Sequence, residues 1–537
     1  MRASSFARAA GISALCGIAF GLAAPPSPVS PLAWVALAPL LYGVTARAWS
    51  VRQAFGLGTI GGLGVGLLGF PWIVVVVGQM GGVPLPLAAI AMLIYTTWMA
   101  IPFGLFAIAV ALAPQQAVAR VAWITVAFAA AIDVWPVVFP YTPAIGLTAT
   151  PEWIQIAELG GTRAIEMPVV WVGLCLVALV RARERRHRMI AVLIAIGLPL
   201  GSYILGRARM AQIDAETRTA ERVRIGLIQP NTPVVFGDPD TAVDRLRSAS
   251  RRAQDMGAQL VVWPEAGVYP FAMLRPLRGD TADPRRRILA SHDLPTLLGI
   301  VTYDRPDGFP YNTLAYLHAD GTIRGTYDKT RRVLFGEYLP LLDPEWLRGL
   351  VSNVAHLNAG DGPTVLAVEH APGRTVRLGP LICLEDIIED FAREVAAQDG
   401  GIEMFVNATI DAWYGDTSEP WEHLALAKIR TVEHRIPMIR SVSTGVSGLI
   451  DPAGRLLDHL PPKITPPGET PRFPADALVV DVPIGRSTAD RPTLFARGGW
   501  LLPHACRLLS VVGLVWLWLG RRARRGTVTE SASGSGS

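Results

Sequence analysis

Three residue types that do chemistry together lie far apart in the chain. Cys383 closes the apolar run VRLGPLIC, Glu265 follows the run QLVVWP, and Lys329 ends TIRGTYDK. A carboxylate at the end of a buried strand, beside an apolar wall, has its pKa lifted toward the range useful to a general base. An ammonium held near a thiol favours the thiolate and stabilises an oxyanion. A cysteine at a turn from strand to helix faces free N–H groups, and the N–H of Leu384 is the natural oxyanion donor. Together these types suit acyl transfer through a thioester. Read singly, each has a plainer explanation: a salt-bridged Glu, a solvated Lys, a packed Cys.

Short β-rich runs alternate with helical segments around these residues. Strands are predicted at 223–229, 259–265, 296–303, 312–319, 322–328, 376–383, 403–409, 438–444 and 477–483, with a hairpin around 319–321. Helices are predicted at 240–256, at 386–399 starting from Asp386, and at 421–435. The alternation implies a layered α/β sandwich spanning 207–496.

The rest of the chain reads differently. Of the 537 residues 51% are hydrophobic and 17% charged, too apolar for an ordinary soluble protein. Apolar runs of bilayer length or near it fall at 6–24, 31–46, 54–76, 86–112, 118–139, 166–181, 189–206 and 500–520, giving eight predicted spans. This divides the chain into a transmembrane domain at 1–206, the α/β domain at 207–496, a last span with a basic anchor at 497–525, and a tail at 526–537 predicted to be disordered. Arg2, Arg8, Arg47, Arg52, Arg120, the cluster RARERRHR at 181–188 and RRAR at 521–524 all fall on one side of these spans. By the positive-inside rule both termini are cytoplasmic and the α/β domain lies outside. Those loops account for the basic balance, so nucleic-acid binding is not expected. The first run also fits a cleaved signal peptide, which leaves the orientation unchanged. Cys16, Cys175 and Cys506 fall in predicted spans, leaving Cys383 without a disulfide partner outside.

The segments WPE at 263–265, YDK at 327–329 with FGEY at 335–338, and ICLE at 382–385 resemble, in this order, the Glu-Lys-Cys signature of the nitrilase superfamily. YN at 311–312 and DAWYGD at 411–416 add to it. With seven spans before the domain and one after, the whole chain resembles the apolipoprotein N-acyltransferases. The resemblance implies an α-β-β-α nitrilase sandwich with Glu265 as base, Lys329 as oxyanion stabiliser and Cys383 as nucleophile. It implies Glu337 and Glu385 as supporting carboxylates, and Trp413, Tyr414 and Asn312 as substrate-binding residues. It also implies a phospholipid acyl donor, a diacylated apolipoprotein acceptor, a monomer in the bacterial inner membrane, and no cofactor. No metal is expected, since His423 and His434 are poorly spaced as ligands. Arg332, Leu334, Leu384 and Ile410 depart from the usual pattern near the cavity wall. Two rivals remain: a membrane-anchored amidase in which water resolves the acyl-enzyme, and a non-catalytic lipid or lipoprotein binder.

Overall fold

The computed structural model describes residues 2–533 apart from 81, 141, 234–236, 341–342, 344 and 346–355. Among the described residues, seven helices are long and apolar enough to cross a membrane: Ser5–Ala23, Val51–Gly69, Leu85–Leu112, Ala117–Val134, Ala157–Arg181, Arg185–Thr217 and Gly499–Leu519. The remaining predicted span, 31–46, is the shorter apolar segment Ser30–Thr45. Without a strong hydrophobic drive between helices in lipid, close backbone approach has to hold such a bundle together. Here it does: a Cβ on Gly17 would lie 2.4 Å from the Gly64 backbone, and one on Gly58 would lie 2.1 Å from the Phe103 carbonyl.

Two elements differ from expectation. The last helix before the α/β domain continues beyond residue 206 to Thr217, so the boundary between domains falls inside one helix. Gly206 is no break there, because it packs so tightly that a Cβ would meet the Glu152 carbonyl at 1.9 Å. The C-terminal helix runs from Leu502 to Ser533, so the tail through 533 is helical rather than disordered, and 534–537 lie outside the described residues. Extending a formed helix fixes only one residue per hydrogen bond, whereas starting one fixes several.

The α/β domain holds two sheets. In chain order the strands are β1 (Glu221–Gln229), β2 (Leu260–Val262), β3 (Met273–Leu274), β4 (Thr296–Tyr303), β5 (Tyr311–Leu317), β6 (Ile323–Asp328), β7 (Leu366–Ala371), β8 (Arg374–Ile382), β9 (Met404–Thr409), β10 (Met438–Val442), β11 (Ser447–Ile450), β12 (Leu456–Leu460) and β13 (Asp476–Ile484). One sheet has the order β13-β1-β2-β4-β5-β6, with β3 on β4, and the other runs β12-β11-β10-β9-β8-β7. Strands β1, β2 and β4 are parallel neighbours, as are β8, β9 and β10.

Alternation along β1 explains the layering. Val223, Ile225 and Leu227 join the core shared with β8 and β9, while Ile228 packs outward with Val243 and Leu246 of the Pro239–Asp255 helix. On the far side, the Glu419–His434 helix packs against the Ala157–Arg181 membrane helix. The domain is therefore a helix-sheet-sheet-helix sandwich seated on the membrane helices.

Arg435 bolts that seat. It is fully buried; its Nε donates to Glu158 Oε2 at 2.7 Å and its Nη1 to Gln155 Oε1 at 2.7 Å and the Pro452 carbonyl at 3.0 Å. Removing one partner from a buried charge network leaves the others uncompensated. Arg435→Ala should lower stability by about 3 kcal/mol or more, measured as resistance of the purified protein to SDS unfolding.

Candidate active site

Parallel strands leave their carboxyl ends on one edge, where the chain turns out and side chains converge. Glu265 follows β2, Lys329 follows β6, and Cys383 and Ile410 follow β8 and β9. The expected residues Glu265, Lys329, Cys383, Glu337, Glu385 and Asn312 are thereby brought into one buried region formed from both sheets.

Lys329 is its hub. Its Nζ, 1% exposed as a side chain, donates to Glu265 Oε1 at 3.2 Å and to Glu337 Oε1 at 2.6 Å. Glu265 is oriented by three donors, since Asn312 Nδ2 also reaches Oε1 at 2.7 Å and the Ile410 N–H reaches Oε2 at 3.0 Å. The Ile410 departure is thus neutral for Glu265, because the backbone makes the contact. The Val333 N–H donates to Glu337 Oε2 at 2.7 Å. Arg332 pins the same turn by donating to the Leu357 carbonyl at 2.7 Å and stacking over Tyr338.

Burial raises the Glu265 carboxyl above its ordinary range, with Lys329 pulling it down and Glu337 pushing it up. Burial also drives the Cys383 thiol well up, as does the nearby Glu265 carboxylate; Lys329 and a hydrogen bond with Thr409 oppose this. For Lys329 burial acts to lower the pKa, but Glu265, Cys383 and Glu337 hold the ammonium well above its ordinary value. The three groups are thus electrostatically coupled, with a fixed cation beside a thiol and a carboxyl that compete for one proton.

Cys383 has the left-handed conformation, φ 54°, uncommon for a residue with a Cβ. Strain of this kind persists only where its surroundings over-determine it, and Glu385 supplies that. Fully buried, it accepts from the N–H groups of Thr330 and Arg331, each at 2.8 Å, from the Ile382 N–H at 2.8 Å and from the Tyr327 hydroxyl at 2.7 Å. One carboxylate therefore clamps the turn after Lys329 to the turn bearing Cys383. Burial pushes Glu385 up to about 7 against those hydrogen bonds.

The turn differs from the α-helical start expected at Asp386. Cys383–Ile387, including Leu384, forms a 3-10 turn and the α-helix begins at Glu389. The thiol therefore lies on the 3-10 turn itself and not at an α-helix N-terminus. Glu385 and Asp386, drawn into separate buried networks, tighten this segment.

Tyr414 is buried and close enough to Cys383 and Glu265 for their charges to raise its pKa, after burial as the first cause. Trp413 is 40% exposed. Tyr414 also packs edge-on against Trp72 of the membrane domain, with centroids 5.2 Å apart. Trp72 in turn donates to Glu422 at 3.3 Å. The wall beside the thiol is therefore Tyr414 of the α/β domain, backed by Trp72 of the membrane domain.

A second network was missed in the sequence. His423, weighed only as a metal ligand, bridges Asp386 at 2.8 Å and Asp411 at 3.3 Å, and Arg440 donates to Asp386. Burial would lower the imidazole pKa, but Asp386 and a hydrogen bond to Asp411 hold it up to about 10. The bridge ties the Cys383 turn to the 411–414 segment. Asp411, Glu419 and His423 bring ligand-type atoms within 4.8 Å, yet the imidazolium and the Arg440 guanidinium already supply positive charge among these acids. Asn407, also unforeseen, donates to the Cys383 carbonyl at 2.9 Å.

Glu385→Gln replaces an acceptor facing four donors with a group carrying two N–H bonds of its own. Displacing the turn by even 1 Å should cut kcat about a hundredfold, with the unfolding midpoint near that of the parent; unchanged kcat would remove the clamp.

Residues 224–465 match the carbon-nitrogen hydrolase family model, and residues 16–197 match the apolipoprotein N-acyltransferase N-terminal domain model. The chain is similar to the apolipoprotein N-acyltransferase of Geobacter metallireducens, 26% identical with 92% of each chain covered. It is also similar to that of Pseudomonas paraeruginosa, 30% identical with 82% of this chain and 85% of the relative covered. Among solved structures, an amidase from Nesterenkonia sp. is 20% identical with a TM-score of 0.35, covering 51% of this chain and 94% of that one.

Proposed function

The chain belongs to the apolipoprotein N-acyltransferase family, and from that membership we propose that it moves a fatty acyl chain from a phospholipid to the α-amino group of the S-diacylglyceryl cysteine of a lipoprotein, through a thioester on Cys383. The observation that carries this reading is the convergence of Cys383, Glu265 and Lys329 in one buried site, beside Tyr414, which packs on Trp72 of the membrane domain.

In the first half-reaction Glu265 takes the Cys383 proton and the thiolate attacks the ester carbonyl. Lys329 and the Leu384 N–H stabilise the tetrahedral oxyanion, about 3–4 kcal/mol per donor in comparable sites. Collapse breaks the ester C–O bond, the leaving alkoxide takes the proton back from Glu265, and lysophospholipid departs. In the second half-reaction the lipoprotein amine attacks the thioester and Glu265 accepts its proton. The C–S bond breaks, the thiolate is reprotonated, and an amide results. The intermediate makes the kinetics ping-pong. Glu337 holds Lys329, Glu385 holds the turn, and Asn312 aims Glu265. Trp413 and Tyr414 cover the thioester against water, which would otherwise release the acyl chain as fatty acid.

Both substrates keep their chains in the bilayer, which a lone anchor would not accommodate but a multi-span domain does. We place the enzyme in the bacterial inner membrane with the catalytic domain outside, on the arginine asymmetry of the loops. One chain supplies every group of the site, so a monomer suffices.

Incubation with labelled phospholipid and a diacylated lipopeptide should yield amide product. Cys383→Ala and Glu265→Gln should each abolish it, and Lys329→Ala should cost about a hundred- to a thousandfold. A fatty-acyl mass on the parent, absent from Cys383→Ala, is expected by mass spectrometry; turnover in Cys383→Ala would refute the thioester. Because Glu265 works only when ionised and its pKa is raised, the rate should climb with pH through a limb displaced above the ordinary carboxylate range.

A further inference from the structure

Where the Ala157–Arg181 and Leu502–Ser533 helices leave the membrane on the catalytic-domain side, two concavities meet. A cavity of about 400 Å³ is lined by Arg209, Arg486, Arg491 and Arg497, and Leu159 is shared with an adjoining groove of about 380 Å³. That groove runs between Gly160 and Ala164 on one helix and Leu501, Leu502 and Ala505 on the other, and its walls are apolar. Leu159 and Leu501 stay about half exposed, at 45% and 48%.

The charges beside it are only partly matched. Arg209 is committed to Glu158 at 2.9 Å and Arg486 to Glu216 at 2.8 Å. Arg491 is 71% exposed and only approaches Glu216, at 3.9 Å. Arg497 has no acidic partner among the described residues. Asp490 also lines the cavity, so four guanidinium groups face three carboxylates, and Glu158 is further engaged by Arg435 at 2.7 Å. Trp500, under Arg393 at 4.3 Å, sits beside the groove as aromatic residues do at headgroup depth.

We infer that this junction binds one anionic phospholipid, its phosphate against Arg491 and Arg497 and an acyl chain in the groove between the two helices. Guanidinium groups at a membrane surface attract anionic headgroups, and the apolar groove below adds what a free phosphate lacks. The site is separate from the Cys383 chemistry and stands or falls without it.

The test uses the full-length Cys383→Ala chain, purified in detergent, stripped of lipid and followed by native mass spectrometry. It is titrated with dioleoylphosphatidylglycerol, dioleoylphosphatidylcholine and inorganic phosphate. Phosphatidylglycerol should bind more tightly than phosphatidylcholine, and inorganic phosphate should not displace it. Its affinity should fall about tenfold or more when Arg491→Gln and Arg497→Gln are combined. Ala505→Trp, which fills the groove without altering charge, should weaken binding as well. Equal affinity in the parent and both variants overturns the site. Displacement by inorganic phosphate reduces it to an anion pocket and overturns the lipid assignment, and equal binding of phosphatidylcholine overturns the role of the arginines.

Discussion

One buried ammonium organises the catalytic domain. Taking Lys329 out of water costs several kcal/mol unless opposite charge and hydrogen bonds offset it. Glu265 and Glu337 provide both, each bonding the same nitrogen. The arrangement draws the end of β6, the turn after Glu265 and the loop carrying Glu337 to one point. The second sheet must then deliver Cys383 to that point. Glu385 sees to this by accepting from both turns at once.

The same convergence explains why the fold needs two sheets. Here the thiol and the carboxyl arrive from different sheets, with the cation between competing demands, and burial raises both. The membrane domain meets the site through Trp72, which packs on Tyr414 of the α/β domain, and is fastened by Arg435.

Much of this was legible from residue types at strand ends. The WPE, YDK and IC segments placed Glu265, Lys329 and Cys383 correctly at turns, because buried apolar runs have few ways to end. Short edge strands such as β7 and β12 were not seen, since β7 alternates over only six residues and β12 is mostly exposed. The helix expected from Asp386 gave way to a 3-10 turn because Asp386 itself is drawn to His423 and Arg440. That network could not be read in advance: its members come from 386, 411, 423 and 440, and no local spacing joins them. The Ile410 and Arg332 departures looked like threats to the cavity, but the first contributes its backbone N–H and the second fastens a turn.

The central claim, that the Lys329 charge opposes burial and so eases ionisation of the thiol, is tested most directly by titrating the ultraviolet absorbance of the Cys383 thiolate. The comparison is between the chain with Cys16, Cys175 and Cys506 changed to alanine and the same chain carrying Lys329→Met. The account predicts that the thiolate appears at distinctly higher pH without the ammonium. An unshifted titration in a folded variant would contradict it.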